Sequence, residues 1–193
     1  MKLDHTTPVL ISGGASGLGA ATAQYFQAQD IPVGVIDLNT DGAPDGAVTA
    51  KTDISDAGQV AAALALIRAE HGQERLVVNC AGIAPSAKTV SRGAAHDPAL
   101  FSKVMQINLI GTFNVASQCA LGMSALDPME DGERGVIINT ASIAAYEGQM
   151  GQVAYAASKG GVAPMTLPMA RDMAKLGVRI MAIAPGIFLT PIV

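Results

Sequence analysis

Short apolar runs alternate with longer segments of helical periodicity along the chain, and this alternation constrains the fold most. Several runs are continuously apolar, which is typical of strands covered on both faces. The runs lie over residues 9–11, 33–36, 47–50, 76–78, 136–138 and 178–183. The helical patterns between them cover residues 17–29, 56–71, 97–126 and 153–176, the third with a break expected near Gly111. Repeated strand–helix–strand units predict an α/β fold with a doubly wound parallel sheet in a three-layer αβα arrangement.

The composition bounds the class of protein. The chain has 193 residues, half of them apolar and only 15% charged, with a net charge of −4. These values predict one domain over residues 1–193 and exclude a disordered chain or one that binds nucleic acid through basic charge. The uncharged stretch 105–126 is interrupted by amides and glycines, so we expect no membrane span. Cys80 and Cys119 are too few for a disulfide framework, which favours a reducing, cytoplasmic location.

A glycine-rich segment directly follows the first predicted strand and precedes a helix. Gly13, Gly17 and Gly19 let the backbone turn tightly and approach a phosphate closely. The amides around Ser16 and Leu18, at the start of the helix, would face that phosphate. The segment therefore predicts a dinucleotide site, although a glycine cluster alone also occurs in ordinary tight turns.

A carboxylate ends the second predicted strand, at Asp37. In a dinucleotide site it would accept hydrogen bonds from both adenosine ribose hydroxyls and repel a 2′-phosphate. Leu38 and Asn39 follow, so no basic residue stands beside it to bind such a phosphate. The pattern favours NAD over NADP as the cofactor, with a solvated Asp in an ordinary turn as the alternative.

Polar and small residues also follow the third and fourth predicted strands, where ligands of open α/β sheets gather. Asp53 and Ile54 follow the third strand, and the carboxylate could accept from an adenine amino group. Asn79, Ala81 and Gly82 follow the fourth strand and leave room for a cofactor. Read singly, each is equally compatible with a turn or a helix cap.

Four residues in the second half of the chain suggest proton chemistry. Tyr155 and Lys159 are four apart on one helical face, and a nearby ammonium would favour the phenolate form of the tyrosine. Ser142 ends the fifth strand, where its hydroxyl could donate to a substrate oxygen. Asn108 precedes the expected helix break, which could expose a carbonyl for a water relay to Lys159. The tyrosine–lysine pair alone would also suit an ordinary amphipathic helix.

Together these motifs resemble the short-chain dehydrogenase/reductase family. The resemblance implies a Rossmann-type fold and an NAD-dependent oxidoreductase that interconverts a secondary alcohol and a ketone. It implies that Tyr155 is the acid/base, that Ser142 steadies the oxyanion, and that Asn108 supports the proton relay. Lys159 would tune the tyrosine, and both Tyr155 and Lys159 would also contact the cofactor. Pro185 and Gly186 would border the nicotinamide and Thr190 its carboxamide.

Within that family, strings such as 79–84, 111–115 and 135–142 resemble the type-2 3-hydroxyacyl-CoA dehydrogenase group. This similarity implies a small-molecule substrate, an acyl-CoA thioester or a steroid. The net charge of −4 and the lack of an apolar span argue against a nucleic acid or a membrane as partner. The alternatives are a 3-oxoacyl-carrier-protein reductase, a polyol dehydrogenase, and a non-catalytic NAD-binding protein. Asp37 disfavours the NADP-dependent reductase, and the full Asn–Ser–Tyr–Lys set disfavours a non-catalytic protein.

The chain departs from the family pattern in two respects. Pro164 and Pro168 fall inside the helix that carries the tyrosine and lysine, where each proline removes a helical hydrogen bond. The sequence ends at Val193, before the family's substrate-covering helical region and last strand, so we expect both to be absent. The helices at 97–126 and 153–176 resemble those that pair subunits, which implies a homodimer or homotetramer. The three histidines lack metal-ligand spacing, so we expect no metal.

Overall fold

The computed structural model describes residues 2–190 and has a main sheet of six parallel strands. The strands of the main sheet are β1 (Val9–Ser12), β2 (Val33–Asp37), β3 (Val48–Lys51), β4 (Leu76–Asn79), β7 (Gly135–Thr140) and β8 (Val178–Ile183). Their spatial order is β3–β2–β1–β4–β7–β8. The doubly wound α/β fold is confirmed; Met1 and residues 191–193 of the proposed 1–193 domain lie outside the described residues.

Helices connect these strands and lie on both faces of the sheet. They are α1 (Gly17–Gln27), α2 (Ala57–His71), α3 (Pro98–Met105), α4 (Thr112–Ser124), α5 (Ala144–Glu147) and α6 (Val153–Met173). A short 3-10 turn, Ala174–Leu176, follows α6. In residues 2–190, no helix is both long enough and apolar enough to cross a membrane.

Two details of the connections differ from a simple alternation. The third helical segment consists of α3, a π-helical segment Gln106–Gly111, and α4, so the expected break is a widened turn that ends at Gly111. A two-stranded antiparallel hairpin, β5 (Val90–Ser91) and β6 (Ala94–Ala95), precedes α3. The sequence did not predict this hairpin, because its strands are too short to show a period.

The core has two parts, one on each face of the sheet. Leu10, Val77 and Ile137 belong to the part that packs against α2, α4 and α6. On the other face, Val9, Val33 and Val78 pack with Phe26 of α1. Apolar side chains thus leave both faces of the strands, which explains the continuously apolar runs.

The strand order fixes where a ligand can bind. From β1 the chain proceeds to β2 on one side, whereas β4 lies on the other side of β1. In sheets of this kind a crevice opens outside the carboxyl ends of the strands at such a switch point. All six carboxyl ends lie at the same edge because the strands are parallel.

Candidate active site

A cavity at the carboxyl edge of the sheet brings together most of the residues that the sequence singled out. The predicted site residues that line it are Gly13, Ser16, Gly17, Leu18, Gly19, Asp37, Asp53, Ile54, Ala81, Gly82, Ser142, Tyr155, Lys159, Pro185, Gly186 and Thr190. Asn79 and Asn108 do not line it. The residues come from the ends of all six strands of the main sheet and from the starts of α1 and α6.

The glycine segment forms a cradle that side chains would fill. Gly13 has a φ of +70°, and a Cβ there would lie 2.6 Å from the backbone of Ala81. A Cβ at Gly19 would collide with the carbonyl oxygen of Gly13. The Ser16 side chain makes no capping hydrogen bond to α1, so the first amides of that helix stay available to an anion. This arrangement fits the pyrophosphate of a dinucleotide.

The carboxylate of Asp37 is fixed by the backbone of the glycine segment and of its own turn. Its Oδ2 accepts a hydrogen bond from the amide of Ala15 at 3.1 Å, and its Oδ1 accepts from the amide of Asn39 at 3.3 Å. Each oxygen has further lone pairs, so the oriented carboxylate can still accept from ligand hydroxyls.

Asp53 and Ile54 form the cavity wall beyond β3. Asp53 Oδ1 accepts from the amide and the hydroxyl of Ser55, at 2.9 and 2.7 Å. The Asp53 amide donates to Gln59 Oε1 at 3.0 Å. These bonds use one carboxylate oxygen of Asp53 and leave Oδ2 available to a donor in the cavity.

The side chain of Asn79 is buried between strands and does not line the cavity. Ser12, Asn79 and Asn139 are register partners on β1, β4 and β7. The Ser12 hydroxyl donates to Asn79 Oδ1, and Asn79 Nδ2 donates to Asn139 Oδ1, both at 2.9 Å. The side chain of Asn79 therefore links three strands beneath the cavity.

Lys159 is buried in the wall of the cavity. Its Nζ donates to the carbonyl oxygen of Thr140 at 2.6 Å and lies 5.9 Å from the centre of the Tyr155 ring. Burial lowers the pKa of Lys159 to about 8, with the nearby Cys80 sulfur acting in the opposite direction. Burial likewise raises the pKa of the Cys80 thiol.

Ser142 faces the same cavity at the end of β7. Its Oγ accepts a hydrogen bond from the amide of Ala144 at 3.1 Å. The hydroxyl hydrogen is therefore available to a substrate oxygen, while the accepted bond fixes the position of the Oγ atom.

Asn108 lies behind the cavity wall and is fully buried in the π-helical segment. Its side chain exchanges two hydrogen bonds of 2.8 Å with the backbone of Ile83. Its Nδ2 also donates to Ser158 Oγ at 3.0 Å, and its carbonyl oxygen accepts from the Thr112 hydroxyl at 2.7 Å. The side chain thus joins the loop after β4 to the helix that carries Tyr155.

Several residues that line the cavity were not predicted. They are Leu38, Thr52, Cys80, Ile83, Ile107, Thr140, Ala141 and Phe188. Most of them directly adjoin a predicted residue in the sequence, and this adjacency is the signal that could have identified them. Among residues 2–190 there is no cluster of three or more His, Cys, Asp or Glu side chains that could hold a metal ion.

Comparisons with known proteins agree on one family. The family model for short chain dehydrogenases matches residues 7–193. The 3-hydroxyacyl-CoA dehydrogenase type-2 of Bos taurus is 48% identical over 192 residues, which cover 95% of this chain and 74% of that protein.

Solved structures agree with this result. The crystal structure of 3-hydroxyacyl-CoA dehydrogenase type-2 from Mycobacterium avium has a TM-score of 0.92 and 37% identity, covering 100% of this chain and 79% of that chain. A 3-ketoacyl-(acyl-carrier-protein) reductase from Brucella melitensis, complexed with NADH, has a TM-score of 0.87 and 26% identity, covering 96% of this chain and 78% of that one. The chain therefore belongs to the short-chain dehydrogenase/reductase family and is an NAD(P)-dependent oxidoreductase that interconverts secondary alcohols and ketones.

Proposed function

We propose that the chain uses NAD(H) to interconvert a 3-hydroxyacyl-CoA and a 3-oxoacyl-CoA. The convergence of Ser142, Tyr155 and Lys159 on one cavity carries the proposal of catalysis. The preference for NAD(H) is supported by Asp37, which presents a fixed carboxylate where NADP would need room for a 2′-phosphate. The acyl-CoA substrate is supported by the relatives from Bos taurus and Mycobacterium avium, which carry that activity in their names.

Residues of the chain itself would transfer the proton and stabilise the negative charge on the substrate oxygen. The hydride would be supplied to, or taken from, the carbon that bears the substrate oxygen by a bound nicotinamide. In the oxidation, the Tyr155 oxygen takes the proton of the substrate hydroxyl, and in the reduction it returns a proton to the carbonyl oxygen. The Ser142 hydroxyl donates a hydrogen bond to the same oxygen and stabilises the negative charge that develops there.

Lys159 and Asn108 support Tyr155 from behind. The ammonium of Lys159, held by the Thr140 carbonyl, favours the phenolate through its charge and would contact the nicotinamide ribose. Asn108 binds the backbone of Ile83 in the cavity wall and contacts α6 through Ser158. It would therefore keep the helix that carries Tyr155 at a fixed position relative to this part of the wall. The water relay at its carbonyl remains a prediction.

Exposed apolar side chains near the start of α6 support an apolar substrate chain. Tyr146, Met150 and Val153 are all exposed, and they lie between Ser142 and Tyr155 in the sequence. Beyond β8, Ile187 and Leu189 are also exposed and flank Phe188, which lines the cavity. Such a surface suits an acyl chain or a steroid better than a polyol.

Exposed apolar residues on α4 and α6 support the proposed homo-oligomer. Leu121 is 74% exposed, and Phe113 and Leu167 are about half exposed. A dimer or tetramer would cover these side chains, and sedimentation equilibrium of the purified protein tests this part of the proposal.

The variant Tyr155→Phe tests the catalytic assignment. We expect NADH binding, followed by fluorescence, to stay nearly unchanged, whereas acetoacetyl-CoA reduction falls to background. Tyr25→Phe is the matched control because Tyr25 is 64% exposed and belongs to α1, outside the cavity lining. Substantial turnover by Tyr155→Phe would refute the assignment.

The substrate class and the cofactor need their own assays. The wild-type protein is assayed with acetoacetyl-CoA, a hydroxysteroid panel and a 3-oxoacyl-carrier protein, each with NADH and with NADPH. We expect acetoacetyl-CoA with NADH to give the highest kcat/KM. A preference for NADPH and the carrier protein would favour the reductase alternative instead.

A further inference from the structure

The start of α4 contacts the loop that follows β3. Asn114 Nδ2 donates to the carbonyl oxygens of Ile54 and Ser55, at 2.9 and 3.3 Å. One turn earlier, Gly111 lies so close to Ile54 that a Cβ there would be 2.6 Å from the isoleucine Cγ1 atom. The loop therefore packs directly against Gly111, and the amide side chain of Asn114 bonds it to α4 through Ile54 and Ser55.

This loop is the part of the wall that we assign to the adenine end of the cofactor. Ile54 is 4% exposed, and both Asp53 and Ile54 line the cavity. Within the loop, Ser55 binds the Asp53 carboxylate, and from α2 Gln59 accepts from the Asp53 amide. Those bonds shape the loop, whereas Asn114 sets its distance from α4.

Two amide side chains on this stretch have parallel contacts at the two ends of the cavity. Asn108 binds the backbone of Ile83, near Tyr155 and Lys159. Asn114 binds the backbone of Ile54, beside Asp53. Both side chains bond the main chain of a residue that lines the cavity, one on each side of Gly111.

We propose that Asn114 is a positioning residue for the adenine half of the cofactor. It acts through the carbonyl groups of Ile54 and Ser55, which fix the Asp53 carboxylate and the Ile54 side chain against that half. Without the two hydrogen bonds the loop can move away from α4, while the hydrogen bonds between Asn108 and the backbone of Ile83 stay intact. Loss of Asn114 should therefore weaken adenine binding and leave the nicotinamide end unchanged. This inference rests on the proposed use of a nicotinamide dinucleotide.

The variants Asn114→Ala and Asn114→Asp test the inference. Alanine removes the amide, and aspartate keeps its shape but replaces the donor with a carboxylate that faces two carbonyl oxygens. We expect the Kd of NADH and of ADP-ribose, measured by calorimetry, to rise about tenfold. Turnover supported by reduced nicotinamide mononucleotide, which has no adenine, should match that of the wild type.

Gln118→Ala is the matched control. Gln118 lies one turn further along α4, and its Nε2 donates to the carbonyl oxygen of Ala57 at 3.0 Å, a residue outside the cavity lining. Gln118→Ala removes the same kind of bond between α4 and the chain after β3. Because Ala57 does not line the cavity, we expect unchanged affinity for all three nucleotides. Circular dichroism of each variant establishes that the fold is retained.

Three outcomes would overturn the inference. They are an unchanged Kd for NADH in both Asn114 variants, an equal loss of function with the mononucleotide, and an equal weakening of NADH binding in Gln118→Ala. Failure of the wild-type protein itself to bind NADH or ADP-ribose would overturn the proposed cofactor as well. The two failures are thus distinguishable by the wild-type titration.

Discussion

The ammonium nitrogen of Lys159 lies 2.6 Å from the carbonyl oxygen of Thr140, in a wall where only 3% of the lysine is exposed. One carbonyl partner does not replace the water that a free ammonium would have. Burial therefore lowers the pKa of Lys159 to about 8, from 10.5 for an unperturbed lysine. The folded protein releases this proton at a lower pH than the unfolded chain does.

This difference predicts a change of stability with pH. Between about pH 8 and pH 10.5 the unfolded chain binds more protons at this position, so stability rises with pH across that window. Relative to Lys159→Met, the wild-type free energy of unfolding should rise by roughly 2 to 3 kcal/mol between pH 7 and pH 10. Urea unfolding of both proteins at the two pH values measures it, because titrating groups that are not coupled to Lys159 cancel in the difference, and a Cys80→Ala background removes the coupled thiol. Parallel profiles would contradict the prediction.

Ser158 should affect turnover more than binding. Its Oγ accepts from Asn108 Nδ2 at 3.0 Å and donates to the carbonyl oxygen of Tyr155 at 2.7 Å. Ser158→Ala removes both contacts at a fully buried position, which loosens the tyrosine helix against the wall. We expect kcat to fall about tenfold and the Kd of NADH to change less than about twofold.

Ser124→Ala is the control for Ser158, since Ser124 also donates to a backbone carbonyl, that of Leu121, but at the end of α4 and outside the cavity lining. Stopped-flow reduction and NADH titration separate kcat from binding. Equal losses in both quantities for Ser158→Ala would show a general structural effect and refute a role for Ser158 in positioning the tyrosine.

The strands were predictable because both faces of this sheet are covered. A run such as 76–78 is apolar throughout, and the observed β4, Leu76–Asn79, extends it by one polar residue. The pattern predicts that this polar residue, Asn79, contacts the cofactor, but it does not predict that the side chain binds Ser12 and Asn139. The residue type at a strand end does not reveal whether the side chain enters the cavity or lies between strands. That depends on which residues of the neighbouring strands lie beside it.

The sequence also could not predict which backbone groups the side chains of the site bind. Lys159 binds the carbonyl oxygen of Thr140, a contact that depends on how α6 crosses β7. The hairpin before α3 turns at Arg92 and Gly93, both with positive φ, and a non-glycine residue such as arginine seldom marks this conformation. Local sequence patterns predict neither the direction of a carbonyl group nor the backbone conformation of such a turn.

An ion pair between the partly exposed Arg68 and the buried Glu74, at the opposite edge of the sheet, should affect stability alone. Arg68 donates to both carboxylate oxygens of Glu74, at 2.9 and 2.7 Å, and Glu74 is 2% exposed. Glu74→Gln removes the charge and should lower the free energy of unfolding by about 2 to 4 kcal/mol. NADH affinity should not change, because Glu74 precedes β4 and the cavity lies at the other end of that strand.

The double variant Arg68→Met with Glu74→Leu checks the cause. It removes both charges and fills the space with apolar side chains, so its loss of stability should be smaller than that of Glu74→Gln. Urea unfolding of the three proteins decides. A larger loss in the double variant would mean that packing, rather than an unpaired charge, dominates at this position.

Pro164 should destabilise the protein without affecting the site. It is exposed inside α6, which runs unbroken from Val153 to Met173, and it gives no N–H to the carbonyl of Gly160. Pro164→Ala should raise the free energy of unfolding by about 1 to 3 kcal/mol, and the Tm by roughly 2 to 4 °C per kcal/mol. NADH affinity should stay unchanged, since Tyr155 and Lys159 precede the proline.

Pro98→Ala is the control, because a proline in the first turn of α3 costs no hydrogen bond, and the Tm of this variant should not rise. A Pro164→Ala variant with an unchanged Tm would mean that α6 already accommodates the proline fully.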